Sequence, residues 1–127
     1  MIKFLIVDDE PDVVDSVSEL FTLRNYNVIT ATSGTKALEL VKKENPNIII
    51  LDIRMPDISG MDVLKEVKKN YPKTRVIMLT GIEDESTKSM AMELGASGYL
   101  TKPYSYSELI ELSRKLIQEI CQEEGIK

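Results

Sequence analysis

Short apolar runs recur along the chain, at residues 4–7, 28–31, 48–51, 76–79 and, more weakly, 98–101. Runs this short and this rich in Ile, Val and Leu predict strands rather than buried helices. Between them the apolar positions switch to helical spacing. Val14, Val17 and Phe21 share one face, as do Ala37, Leu38 and Val41, then Met61, Leu64 and Val67. Ala91 and Leu94 mark a shorter helix, and Leu109, Leu112, Leu116 and Ile120 a long last one. Helix-start chemistry falls where this pattern needs it: Pro11 suits a first turn, Ser33 and Ser59 suit N-caps, and Ser105 with Glu108 spells a capping box. Gly95 stands where the fourth helix should stop.

Strand and helix therefore alternate five times without a linker, which predicts one α/β domain over residues 1–127. Crossovers of this length imply a parallel sheet covered on both faces. The first, third and fourth strands are the most apolar and belong in the centre. The second, with Tyr26, Asn27 and Thr30, and the fifth, with Gly98 and Thr101, suit the edges. The expected arrangement is a doubly wound, flavodoxin-like (βα)5 fold with strand order 2-1-3-4-5. Its topological switch point lies between strands one and three, at their carboxyl ends.

Composition narrows the function classes. A net charge of -5 argues against nucleic-acid binding through a basic surface. The chain has no histidine and a single cysteine, Cys121. That excludes Ser-His-Asp and Cys-His nucleophilic sites, His-ligated metals and an internal disulfide, and it fits a reducing compartment. No stretch approaches the ~20 apolar residues that span a bilayer, and no signal-peptide pattern opens the chain, so a cytoplasmic location without membrane contact is expected. The trailing 122–127, QEEGIK, reads as the start of a linker or a frayed end.

The chemistry sits at the strand ends. Strand one runs into Asp8-Asp9, strand three into Asp52, strand four into Thr80 and strand five into Lys102. Singly, each has an ordinary explanation: an Asp capping the next turn, a Thr at a sheet edge, a solvated Lys. Together they converge on the sheet edge where open α/β folds bind ligands. Two carboxylates about 4 Å apart repel by roughly 4 kcal/mol at an effective dielectric of 20, so one protonates or a cation sits between them. Oxygen donors without His or Cys select a hard cation, Mg²⁺ or Mn²⁺. A carboxylate can itself be a nucleophile, giving an aspartyl phosphate whose charge a cation, an ammonium and a hydroxyl would surround.

With those residues in place, the whole chain resembles the receiver domain of two-component response regulators, most of all the chemotaxis-regulator-like ones. The resemblance rests on Asp8-Asp9, on Asp52 within LDIRMPDISGMDVL, on Thr80-Gly81 and on YLTKPY at 99–104, in that order and at spacings of 43, 28 and 22 residues from Asp9 through Asp52 and Thr80 to Lys102. It implies that Asp52 is phosphorylated from the phosphohistidine of a sensor histidine kinase or phosphotransfer protein. It further implies that Asp9 ligates Mg²⁺ directly and Asp8 largely through water, with Asp52 and the Arg54 backbone carbonyl completing the protein ligands. Lys102 would pair with the phosphoryl group, Thr80 would hydrogen-bond it, Gly81 would leave it room, and Tyr99 would be the switch aromatic. The Lys102-Pro103 bond is typically cis in such domains. The signal would pass through the fourth helix, fifth strand and fifth helix to an output domain or downstream protein, a phosphorylation-dependent dimer being one form of output. Such a domain is a phosphoacceptor rather than a turnover enzyme. The family tunes phosphoryl lifetime at two positions, occupied here by Arg54 and Ile82.

Three other readings compete. Haloacid-dehalogenase-type phosphatases also form an aspartyl phosphate, but need an acid two residues after the nucleophile, where this chain has Arg54. A flavodoxin-like cofactor binder would want a Ser/Thr/Gly-rich phosphate loop where Asp8-Asp9-Glu10-Pro11 stands, and no GxxxxGK[ST] or GxGxxG motif occurs. A degenerate receiver that only docks partners would not need the intact set of Asp8, Asp9, Asp52, Thr80 and Lys102.

Overall fold

The computed structural model describes residues 2–125. Strands β1 (Lys3–Val7), β2 (Asn27–Ala31), β3 (Ile48–Leu51), β4 (Arg75–Thr80) and β5 (Gly98–Thr101) alternate with helices α1 (Pro11–Thr22), α2 (Gly34–Glu44), α3 (Gly60–Asn70), α4 (Glu85–Glu93) and α5 (Tyr106–Glu123). All strand pairs are parallel, in the order β2-β1-β3-β4-β5. This is the flavodoxin-like arrangement expected from the apolar pattern, with the less apolar strands at the edges.

The period of two along each strand divides the core into two layers. Leu5, Val7, Ile49, Leu51, Val76 and Met78 face α2, α3 and α4 through Ala37, Val41, Val63, Leu64, Val67 and Ala91. Their alternates Phe4, Ile6, Ile48, Ile50, Ile77 and Leu79 face α1 and α5 through Val17, Leu20, Phe21, Leu109, Leu116 and Ile120. The β1, β3 and β4 runs are buried on both faces, which is why they read as continuous apolar segments rather than alternating ones.

Helix starts follow the cap chemistry in large part. Ser33 accepts from Lys36 N–H and Ser59 from Met61 N–H. At α5 only the hydroxyl half of the capping box forms, Ser105 Oγ accepting from Glu108 N–H at 3.5 Å. Helix α4 is capped by Asp84, which accepts from the backbone and hydroxyl of Thr87. Gly95 follows α4 at a φ of 106° that a side chain would disfavour.

Three details differ from the sequence reading. Tyr26 precedes β2 rather than joining it: a turn through Asn25 at positive φ leads into it, and its ring packs on Phe4 and Phe21. Leu112 is half-buried, lying against β5 where Leu112 Cδ2 occupies the space a Cβ on Gly98 would need. Gln122 and Glu123 of the trailing segment belong to α5, with Glu123 bound to Arg75 at the start of β4; residues 126–127 lie outside the described ones. No helix among the described residues is long and apolar enough to cross a membrane.

Candidate functional site

The parallel register places the polar residues together. Val7 pairs with Leu51, so Asp8 and Asp52 leave adjacent strands at the same level. The Asp52 N–H donates to the Val7 carbonyl, the Asp8 N–H to the Ala31 carbonyl and the Lys102 N–H to the Thr80 carbonyl. Backbone bonds thus carry the ladder one residue past the strands and fix the base of each functional side chain. Thr80 is itself the last residue of β4, paired with Thr101.

Asp8 and Asp52 are buried, with 2% and 5% of their surface exposed, and Thr80 is fully buried. Lys102 Nζ joins the acids, at 2.8 Å from Asp8 Oδ2, 3.2 Å from Asp52 Oδ2 and 3.3 Å from Glu10 Oε1. The other oxygens are held by backbone: Asp52 Oδ1 accepts from Ile53 N–H at 2.7 Å and Asp8 Oδ1 from Glu10 N–H at 3.0 Å. Burial pushes the Asp8 carboxyl above its ordinary value, with help from the nearby Asp52 charge, against the lowering effect of the Lys102 and Glu10 bonds. Burial alone would lower Lys102, but its bonds to Asp8 and Asp52 and their charges prevail and hold the ammonium well above its ordinary value.

Above this buried group opens a cleft of about 370 Å³ lined by Asp9, Glu10, Asp52, Arg54, Thr80, Gly81, Ile82 and Lys102. Thr80 Oγ1 reaches the cleft wall and accepts a long bond from Ile82 N–H, 3.4 Å. Arg54 is exposed and makes no ion pair among the described residues. Tyr99 lies behind the wall, its hydroxyl donating to the Ile82 carbonyl at 2.7 Å. The Lys102-Pro103 peptide bond is cis.

One carboxylate oxygen from each of Asp8, Asp9, Glu10 and Asp52 lies within 4.8 Å of the other three. A single ammonium cannot neutralise four acids, two of them buried, and the donors are oxygen alone. The set fits a hard divalent cation such as Mg²⁺ or Mn²⁺.

Every residue expected at the site is therefore found at the cleft or directly behind it. The sequence reading missed Glu10. The residue caps α1 without a side-chain cap bond, which leaves its carboxylate free to reach Lys102 and the acid cluster. Its only sequence signal is its place directly after Asp8-Asp9.

Comparison with known proteins agrees with this geometry. The family model for the response regulator receiver domain matches residues 4–125. A response regulator receiver domain protein from Clostridium thermocellum is 34% identical over 94% of this chain and 96% of that one, with a TM-score of 0.88. The chemotaxis protein CheY4 of Vibrio cholerae is 31% identical over 91% and 98%, with a TM-score of 0.85. The BeF3-activated DrrB receiver domain is 30% identical over 93% and 98%, with a TM-score of 0.87. This chain belongs to the receiver domains of response regulators, the phosphoacceptor signalling modules of two-component systems. Phosphorylation and Mg²⁺ binding at an acidic pocket are typical of that family, and the carboxylate cluster described above is a group that could hold a metal ion.

Proposed function

We propose that residues 1–127 act as a single receiver unit that takes a phosphoryl group onto Asp52 from the phosphohistidine of a sensor kinase or phosphotransfer protein. The observation that carries this reading is Lys102 Nζ set between two buried carboxylates, Asp8 and Asp52, at the floor of an open cleft. A merely structural ion pair would need one acid; here one ammonium is shared among Asp8, Asp52 and Glu10, which leaves negative charge for a cation that enters through the cleft.

In the transfer, an Asp52 carboxylate oxygen attacks phosphorus, the P–N bond of the donor breaks, and the imidazole leaves with the bonding electrons. Lys102 is already within reach of Asp52 and can turn its ammonium to the incoming phosphoryl oxygens. Thr80 Oγ1 offers a hydroxyl from the same wall, and Gly81 adds no side chain to the space. Asp8, Asp9 and Asp52, with the Arg54 carbonyl, are the residues that would hold Mg²⁺, which supplies positive charge to the phosphoryl oxygens in the transition state. Ile53 N–H keeps Asp52 Oδ1 oriented throughout.

The output follows from Tyr99. Its hydroxyl is tied to Ile82 in the loop that follows Thr80, so displacement of that loop toward a phosphoryl group moves the ring and with it the α4-β5-α5 face. An output domain or separate protein reads that face.

Intact-mass measurement after incubation with acetyl phosphate and Mg²⁺ tests the proposal. One phosphoryl adduct is expected, absent in EDTA and absent from Asp52→Asn. An equal adduct on Asp52→Asn would refute the assignment, and no adduct on the wild type would make the domain a phosphorylation-independent docking module.

A further inference from the structure

The β3–α3 loop, which carries Arg54, is anchored at two places. At its base, Gly60 N–H donates to the Ile53 carbonyl at 2.7 Å, and the Gly60 Cα sits so close to the Asp52 carbonyl that no Cβ would fit. At its far side, Asp57 spans to another element. Asp57 Oδ1 accepts from Gly34 N–H at 2.9 Å and Oδ2 from Thr35 N–H at 2.8 Å, the first two backbone donors of α2. Next to it the Ile58 side chain packs directly on Gly34, filling the space of a Cβ there.

These bonds serve the amino end of α2. The Ser33 carbonyl accepts the first ordinary helix bond, from Ala37 N–H, so the open donors begin before it. Ser33 Oγ takes Lys36 N–H, and Asp57 takes Gly34 and Thr35 N–H, so three of the four donors that a helix leaves open at this end are bonded by side chains. The carboxylate also faces the positive end of the helix dipole. The Thr35 and Gly34 contacts and the Ile58 N–H hold the Asp57 carboxyl far below its ordinary value, so it stays ionised.

Between the anchors lie Arg54, Met55 and Pro56. The Arg54 carbonyl accepts no hydrogen bond among the described residues. Asp57 itself does not line the cleft. We infer that Asp57 is a positioning residue: by pinning the loop to α2 it fixes the free Arg54 carbonyl and so sets how tightly the site binds its divalent cation. This rests on the functional reading above, and makes α2, an element that contributes no residue to the cleft, part of the support for the site.

The test is a Mg²⁺ titration followed by amide chemical shifts of Asp9 and Ile53, with thermal melts in EDTA alongside. Wild type is compared with Asp57→Ala, Asp57→Asn and Ser33→Ala. Ser33→Ala removes a cap of the same helix end without touching the loop, so it reports what mere loss of helix stability does. Asp57→Ala should weaken Mg²⁺ binding about three- to tenfold, at or below the range for groups bonded directly to metal ligands. Asp57→Asn, which keeps one acceptor oxygen, should fall between it and wild type, and Ser33→Ala should melt lower with unchanged affinity. If Asp57→Ala is too unstable to titrate, Asp57→Asn against Ser33→Ala decides. Unchanged Mg²⁺ affinity in the Asp57 variants, whatever their melting temperatures, overturns the inference and leaves Asp57 a helix cap. No saturable Mg²⁺ binding by the wild type overturns the functional reading, and this inference with it.

Discussion

Tyr99 and Ile82 meet across the gap between β5 and the loop after β4, the phenol donating to the Ile82 backbone carbonyl at 2.7 Å. The bond joins the edge strand to the segment that starts at Thr80, and the ring packs against the core layer shared with α4. Tyr99→Phe keeps the ring and deletes this bond. A net hydrogen bond contributes about 1 kcal/mol, so the balance between ring positions should move roughly fivefold. Amide shifts with and without beryllofluoride, compared over residues 80–115, check it: the variant's signals should lie displaced along the line joining the two wild-type states. Signals superimposed on wild type in both conditions would show that the bond does not hold the ring.

Divalent cations should stabilise the fold. A ligand that binds only the folded state adds about 2.7 kcal/mol at a hundredfold excess over its Kd. Melting temperature should therefore climb with Mg²⁺ in the wild type. Asp9→Ala should respond much less, because it removes an exposed member of the carboxylate cluster proposed to hold the cation. Parallel curves for the two proteins would remove Asp9 from the site.

Asp8 makes a pH dependence of opposite sign to that of most acids. Its folded carboxyl titrates above its ordinary value of 3.8, so between those two values the folded state binds more protons than the unfolded one. Stability is then lost as pH rises through that window. Glu44, Asp57, Asp84 and Glu123 are held low instead, and their contribution is lost only as pH falls below ordinary carboxylate values. In EDTA, Asp8→Asn should melt above wild type at pH 7, by about 4 °C for roughly 1 kcal/mol, with the gap closing toward pH 4. Lys102 keeps Asp52 and Glu10 as partners in that variant. A variant that melts below wild type at pH 7 would mean that the Lys102 bond outweighs the cost of the second buried charge.

Phosphoryl lifetime should be long. Hydrolysis needs a water aligned opposite Asp52, and Ile82, on the cleft wall, has no polar side-chain atom to orient one. Arg54 lines the same cleft with charge-assisted donors for phosphoryl oxygens. Ile82→Glu is expected to shorten the half-life at saturating Mg²⁺, followed as decay of the mass adduct. An unchanged half-life would show that Ile82 is not a brake.

The fold was legible because three strands are buried on both faces and declare themselves as unbroken apolar runs, while the helices between them repeat at their own period. The site was legible because its residues follow those strands directly, so placing a strand places its terminal side chain. What escaped the sequence depends on contacts between distant segments. Asp57 reaches Gly34, 23 residues earlier, and nothing near either residue signals the other. Asp84, the α4 cap, hides between Glu83 and Glu85, where charge alone does not reveal which acid turns back to Thr87. Leu112 shares the helical period of Leu109 and Leu116 but faces a sheet edge, where burial is incomplete.

If displacement leaves the site through β5, as proposed, that edge contact is where α5 would receive it. Leu112 Cδ2 fills the notch that Gly98 leaves in β5, so strand and helix mesh like a tooth in a slot. Packed side chains compress little and pass strain on. Tyr99 is the next residue along the same strand and Lys102 follows its end, so both stand within a few residues of this contact. Any larger residue at 98 would force the tooth out, and shaving Leu112 to Ala would introduce backlash between β5 and α5.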